Sequence, residues 1–169
     1  MSERVGLGFD SHRFEAGRPL VLGGTRLPFE MGLGGHSDGD ILIHAVVDAL
    51  LGATGRGNIG EWFPDTDAAH KGADSAILLG RVWRDLAAAG WRVVNLDCVV
   101  IAEQPRLGPH LGAMRERLAG LLECGPEVVS VKPKTAEGLG FAGQGEGMAA
   151  LVVVLLAIAR PSSPPDASR

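Results

Sequence analysis

At 169 residues with 46% hydrophobic content, the chain is long enough for one domain with a buried core, which excludes wholesale disorder and leaves little room for a second domain. Its net charge of −4 excludes a broad basic surface for nucleic acid, although a few cations suffice to hold a nucleotide-sized ligand. Two cysteines, Cys98 and Cys124, are too few for a disulfide framework and read as reduced thiols of a cytoplasmic protein.

In chain order, "MSERVGLGFD" has no apolar signal core, so export is not expected, and "RVGLGFD" reads as a first strand ending at Asp10. "RPLVLGGTRLPF" reads as a hairpin pivoting on Gly23-Gly24. A helix is expected from near Gly39, capped by Ser37 or Asp38 and stopping at the glycine-rich "GATGRGNIG". "EWFPDTDAAHKGAD" is too long and polar for a simple turn, and loops of that kind often carry function. A second helix is expected over 75–89, then a strand in "WRVVNLDCVVIAE". Pro105 and Pro109 break the chain before a third helix over 112–122. "EVVSVKPKT" is another strand and "GLGFAGQGEG" a glycine loop.

The apolar run 148–159 falls short of the about 20 residues that a membrane-spanning helix needs, and its valines favour a buried strand. Residues 1–160 are expected to form the domain and 161–169 a disordered tail. Interleaved helices and strands, some strands joined directly, predict an α+β fold: a mixed sheet with helices packed on one face.

Two motifs suggest chemistry. In "HSDGDILIH" and beyond, Asp40, His44 and Asp48 are spaced i, i+4, i+8 and share one helical stripe beside apolar positions. One reading makes His44 a core histidine hydrogen-bonded to Asp48. The other joins it to "FDSH", where Asp10 and His12 project from one face of a strand. One carboxylate and two imidazoles leave a fourth tetrahedral position open, the pattern of catalytic rather than structural zinc, with Asp48 orienting the His44 ring from behind. "GLGFAG" matches a dinucleotide fingerprint only formally, because it leads into a strand and does not open a helix. A calcium loop at "DGD" lacks the ligand ladder and distal Glu.

The segments "GFDSHRF", "GGHSDGDILIHAVVDALLGA", "IGEWFPDTD", "KGADS", "VKPKTAEGLGF" and "GQGEG" together resemble the 2-C-methyl-D-erythritol 2,4-cyclodiphosphate synthase family of the non-mevalonate isoprenoid pathway. The resemblance implies a homotrimer with active sites between subunits, a bound zinc ion, and a magnesium or manganese ion arriving with the substrate. It implies a ring closure, in which the 2-phosphate of 4-diphosphocytidyl-2-C-methyl-D-erythritol 2-phosphate attacks the β-phosphorus and CMP leaves. It assigns Asp10, His12 and His44 as zinc ligands and Glu137 as a ligand of the second metal, with Asp10 and His12 also bordering the substrate.

The same resemblance makes His36 and Thr135 the catalytic pair. His36 stabilises charge in the transition state, with Ser37 also on phosphate, and the Thr135 hydroxyl contacts the phosphates. Asn58, Ile59 and Gly60, with Phe63, Pro64, Asp65, Thr66 and Asp67, are expected around the methylerythritol portion. Ala102, Arg106, Leu107 and Gly108 are expected to form the cytidine pocket on the adjacent subunit, flanked by Lys134 and Ala136.

Three positions depart from the family pattern. Asn58 stands where an Asp is common, Lys134 in a stretch often rich in threonine, and Gln144 where an Arg often lies near the trimer axis. With Phe141 and Glu146 retained, binding of an isoprenoid diphosphate there is the property that Gln144 puts in question. The competing readings are a metal-dependent phosphohydrolase, which uses water as nucleophile, and a non-catalytic trimeric module that binds isoprenoid diphosphates.

Overall fold

The computed structural model describes residues 2–67 and 72–158; the expected tail at 161–169 lies outside them. Its frame is a five-stranded sheet with a separate two-stranded hairpin. The first strand, β1 (Ser2–Ala16), was expected to stop at Asp10 but runs on for six residues. Its apolar alternation ends at Phe9, whereas its backbone ladder does not. It pairs antiparallel with the last strand, β7 (Gly147–Ile158), from Ser2 to Arg13, then with β4 (Met31–Leu33) from Phe14 to Ala16. Backbone pairing needs no apolar side chain, so Asp10 and His12 lie inside a strand with fixed orientation.

The hairpin of β2 (Leu20–Leu22) and β3 (Thr25–Leu27) turns on Gly23 and Gly24, both at positive φ, as such tight turns demand. The helix α1 (Ile41–Thr54) begins later than expected, and its cap is Asp40, not Ser37 or Asp38. Asp40 is fully buried and accepts from Ile43 N at 3.0 Å, Gly23 N at 2.9 Å and Gly24 N at 2.6 Å. One carboxylate therefore ties the helix start to the hairpin turn. Burial pushes its pKa up, while these three N–H groups pull against that rise.

Helix α1 lies directly on β1 because two strand positions have no side chain. A Cβ on Gly6 would sit 1.8 Å from the Ala49 carbonyl oxygen, and one on Gly8 would sit 1.8 Å from that of Ala45. The same face of the strand continues through Asp10 and His12, so this close approach brings His44 over them. After α1 come a short helix α2 (Ile59–Trp62), α3 (Ser75–Ala88), β5 (Trp91–Ile101), α4 (Leu111–Leu121), β6 (Val129–Lys134) and a single turn α5 (Gly140–Gly143).

The strand order is β4-β1-β7-β5-β6, with β5 and β6 parallel and joined through α4, as a parallel pair requires a crossover. Val152, Val154 and Leu156 are buried against the helical layer, whereas Leu151 and Val153, alternating with them, are exposed. On β1 the matching exposed residues are Val5, Leu7 and Phe9, at 67%, 62% and 56%. The helices thus cover one face of the sheet, and an apolar strip marks the other.

Candidate active site

Asp10 lies at the centre of the cluster. Its Oδ2 is 2.9 Å from His44 Nδ1 and 3.2 Å from His12 Nε2. The two rings lie 5.5 Å apart, and one donor atom from each of the three residues falls within 4.8 Å of the other two. Burial alone would raise the Asp10 pKa, but the two imidazoles hold the carboxyl well below its usual range and keep it ionised. The same hydrogen bond raises the pKa of His12. A carboxylate and two imidazoles converging at one point form a donor set that suits a divalent metal such as zinc.

The expected roles of two acids on the α1 stripe are corrected. Asp40 leaves the stripe because the cap is not helical, and its carboxylate is used on the hairpin. Asp48 does not hold the His44 ring. Its Oδ1 accepts from Ile59 N at 2.7 Å, answering an N–H that the first turn of α2 leaves unpaired. His44 Nε2 instead meets the hydroxyls of Ser37 and Ser75, each at 3.0 Å.

The cluster opens on a cavity of about 260 Å³. His36 and Ser37 line it beside the three donors, and His36 Nε2 is buried there with no hydrogen-bond partner. Ile59, Gly60, Phe63 and Asp65 also line it, while Asp67 N closes a turn onto the Pro64 carbonyl at 3.0 Å with Thr66 inside it. Asn58 is turned away from this cavity: its amide caps α2 by accepting from Glu61 N and donates to the Glu61 carboxylate.

Another cavity, of about 530 Å³, collects Ala102, Arg106, Leu107 and Gly108 with Lys134 and Thr135. It shares no lining residue with the first. Ala136 N is held by the Glu103 carboxylate at 2.9 Å, and the Glu137 carboxylate accepts the Thr135 hydroxyl. A third hollow places Phe141 and Glu146 beside Arg13, and Gln144 is not in its lining.

Residues 3–157 match the YgbB family. The chain belongs to this family. It is 57% identical over 155 residues to the 2-C-methyl-D-erythritol 2,4-cyclodiphosphate synthase of Alkalilimnicola ehrlichii, covering 91% of this chain and 94% of that protein. Among solved structures, the bifunctional IspDF from Campylobacter jejuni superposes with a TM-score of 0.89 at 42% identity, covering 94% of this chain and 43% of that longer one. A 2C-methyl-D-erythritol-2,4-cyclodiphosphate synthase in its CDP-bound form gives 0.83 at 40% identity, covering 91% of this chain and all of that one.

Within this member of the YgbB family, three contributors to the site escape sequence reading. Arg18 donates to the carbonyls of Gly35 and Ser37 and holds the turn that carries His36. Ser75 follows the Asp74 cap and reads as an ordinary helix start, yet its hydroxyl lies on His44. Asp38, expected as a cap of α1, receives both the backbone N–H and the hydroxyl of Ser75. "KGADS" contains Ser75 and "GGHSDGD" contains Asp38, but no spacing rule links positions 37 residues apart.

Proposed function

We propose that the chain is a 2-C-methyl-D-erythritol 2,4-cyclodiphosphate synthase, a phosphorus–oxygen lyase that converts 4-diphosphocytidyl-2-C-methyl-D-erythritol 2-phosphate to the cyclic diphosphate and CMP. The observation that carries this reading is the Asp10–His12–His44 cluster at the wall of a cavity that also holds His36, in a chain 57% identical to such a synthase. An oxygen of the 2-phosphate forms a bond to the β-phosphorus. The bond from that phosphorus to the oxygen bridging the α-phosphate breaks, and CMP departs with that oxygen and its electron pair. Nucleophile and electrophile belong to one molecule, so the protein's task is alignment and charge compensation.

Asp10, His12 and His44 would hold zinc, and Glu137 would be a ligand of magnesium or manganese. When bound, these ions supply positive charge against the diphosphate oxygens. The chain's own groups do the rest. His36 lines the cavity and would donate to a phosphate oxygen where charge builds up. Asp65 and the 59–60 backbone border the space for the methylerythritol portion. The cavity at 102–108 offers backbone edges to cytosine, with Arg106, Lys134 and Thr135 placed for phosphate.

The two cavities share no lining residue, which supports a complete site assembled from two copies of the chain. The exposed strip of Val5, Leu7, Phe9, Leu151 and Val153 supports burial against other copies in a homotrimer. No helix among the described residues is long and apolar enough to cross a membrane, which, with two free cysteines, supports a cytoplasmic enzyme.

The test is release of CMP from the cytidine substrate by purified protein, with and without a divalent ion. His44→Ala should lose both zinc and activity, the latter by at least about 10³-fold, the equivalent of several kcal/mol of charge stabilisation. Inorganic phosphate appearing in place of CMP would overturn the cyclase reading in favour of a hydrolase.

A further inference from the structure

We propose that Ser75 and Asp38 are positioning residues for His44, setting which ring nitrogen carries the proton and so which one is presented to a metal. The inference rests on the proposed metal reading and adds residues to it. The chain of contacts starts at Asp38. Its Oδ1 is 2.5 Å from the Ser75 hydroxyl, and its Oδ2 accepts from Ser75 N at 3.1 Å. The Ser75 hydroxyl gives its proton to Asp38, whose carboxylate also takes the Ser75 backbone N–H. The Ser75 oxygen is then left as an acceptor.

That oxygen lies 3.0 Å from His44 Nε2 in a fully buried position, and a second hydroxyl, Ser37 Oγ, lies 3.0 Å from the same nitrogen and 3.3 Å from Ser75 Oγ. Two oxygens facing Nε2, one of them unable to donate to it, favour Nε2–H. The His44 Nδ1 lone pair then faces the Asp10 carboxylate across 2.9 Å. A lone pair and an anion at that separation are stable together only with a cation held by both. With a divalent ion there, every member of the chain is satisfied; without Ser75 the ring is free to turn its proton toward Asp10 and compete with the ion.

The brace is mechanical as well. Gly72 N donates to the His36 carbonyl at 2.8 Å and Asp38 N to the Ala73 carbonyl at 3.1 Å, so the 36–38 turn is laced to the segment that leads into Ser75 and α3. Ser75 sits at the first position of α3, where Asp74 already caps the helix through Ala76 N. Its hydroxyl is therefore not needed to start that helix.

The experiment is a zinc titration against a competing chelator on the full chain, comparing wild type, Ser75→Ala, Ser75→Thr and His44→Ala. A proton NMR spectrum of the zinc-loaded wild type accompanies it, so that part of the test does not depend on a variant folding. Ser75→Ala should bind zinc 10- to 100-fold more weakly, the range for lost partners of a ligating histidine. Ser75→Thr, which keeps the hydroxyl, should recover most of that loss. The wild-type spectrum should show a slowly exchanging His44 Nε2–H. Zinc affinity of Ser75→Ala within twofold of wild type, while His44→Ala binds none, overturns this inference and leaves the metal reading standing. So does a proton found on His44 Nδ1 in the zinc-loaded protein. If wild type and His44→Ala bind zinc equally poorly, the metal reading fails and this inference fails with it.

Discussion

The two main cavities are built by different means. Around Asp10, side chains hold side chains: His12 and His44 meet one carboxylate oxygen, Ser37 and Ser75 back the His44 ring, and Asp38 backs Ser75. Around Arg106 the lining is mostly small or apolar residues, Ala102, Leu107, Gly108, Pro105, Pro109 and Pro133, with Arg106, Lys134 and Thr135 exposed. Its two edges are joined by Ala136 N on the Glu103 carboxylate and by Ala102 N on the Lys134 carbonyl. Charge compensation during a phosphoryl transfer works only if the charges stand in place beforehand. A nucleoside can be recognised by backbone edges of a surface whose few cations settle when the ligand arrives. On the proposed function, the first cavity is preorganised for chemistry and the second for recognition.

The contrast breaks most violently at Gly8. Gly8→Val pushes side-chain atoms into the Ala45 carbonyl, which lies 1.8 Å from the position of a Cβ. Lifting α1 off β1 should cost at least about 3 kcal/mol, the upper end for overpacked cores. It should also remove zinc binding, because His44 leaves Asp10. Thermal melting and zinc titration together check this; a normal melt with intact zinc binding would show that the close approach is not what seats His44. Asp40→Ala is the next largest. It removes the α1 cap and strands the N–H groups of Gly23 and Gly24, for about 2 kcal/mol or more. The loss should appear in urea unfolding as a shifted midpoint with an unchanged slope.

These same residues mark what the sequence made legible. The convergence of Asp10, His12 and His44 was readable because both periodicities are local: Asp10 and His12 are two apart on a strand, and His44 lies on the inward stripe of a helix. Asp40 and Asp48 obeyed the same stripe arithmetic and still went elsewhere. A cap residue is not helical, and an unpaired N–H at Ile59 claimed Asp48 once the chain had doubled back. β1 outran its expected end because ladder pairing with β7 and β4 is set by distant segments. Ser75 was unreadable for the same reason, its partners lying 31 and 37 residues away. Sequence patterns report faces, while hydrogen-bond partners across loops are decided by the assembled fold.

On the recognition side the effects should be smaller and of another kind. Arg106→Ala should raise KM for the cytidine substrate about tenfold or more, the worth of one charged hydrogen bond, with zinc affinity unchanged. Steady-state kinetics beside the zinc titration decide it; a fall in zinc affinity would mean that the cavities are not independent.

The smallest effect is expected at Asp97, whose carboxylate takes a 2.6 Å hydrogen bond from Lys132 across the β5–β6 pair that carries the second cavity. That hydrogen bond lowers the Asp97 pKa from 3.8. A carboxylate with a depressed folded-state pKa stabilises fully above its unfolded value, and the benefit disappears as pH falls through the lowered one. Both side chains are over 40% exposed, so solvent screening limits the pair to about 0.2–1 kcal/mol. Asp97→Asn should therefore lower the melting temperature by a few degrees at most at pH 7 and by less at pH 3. Added salt should shrink the difference at pH 7. Equal losses at both pH values would mean that packing, not charge, joins these strands. The second cavity would then rest on a frame as rigid as the one beneath Asp10, and the contrast between the two would lie in their linings alone.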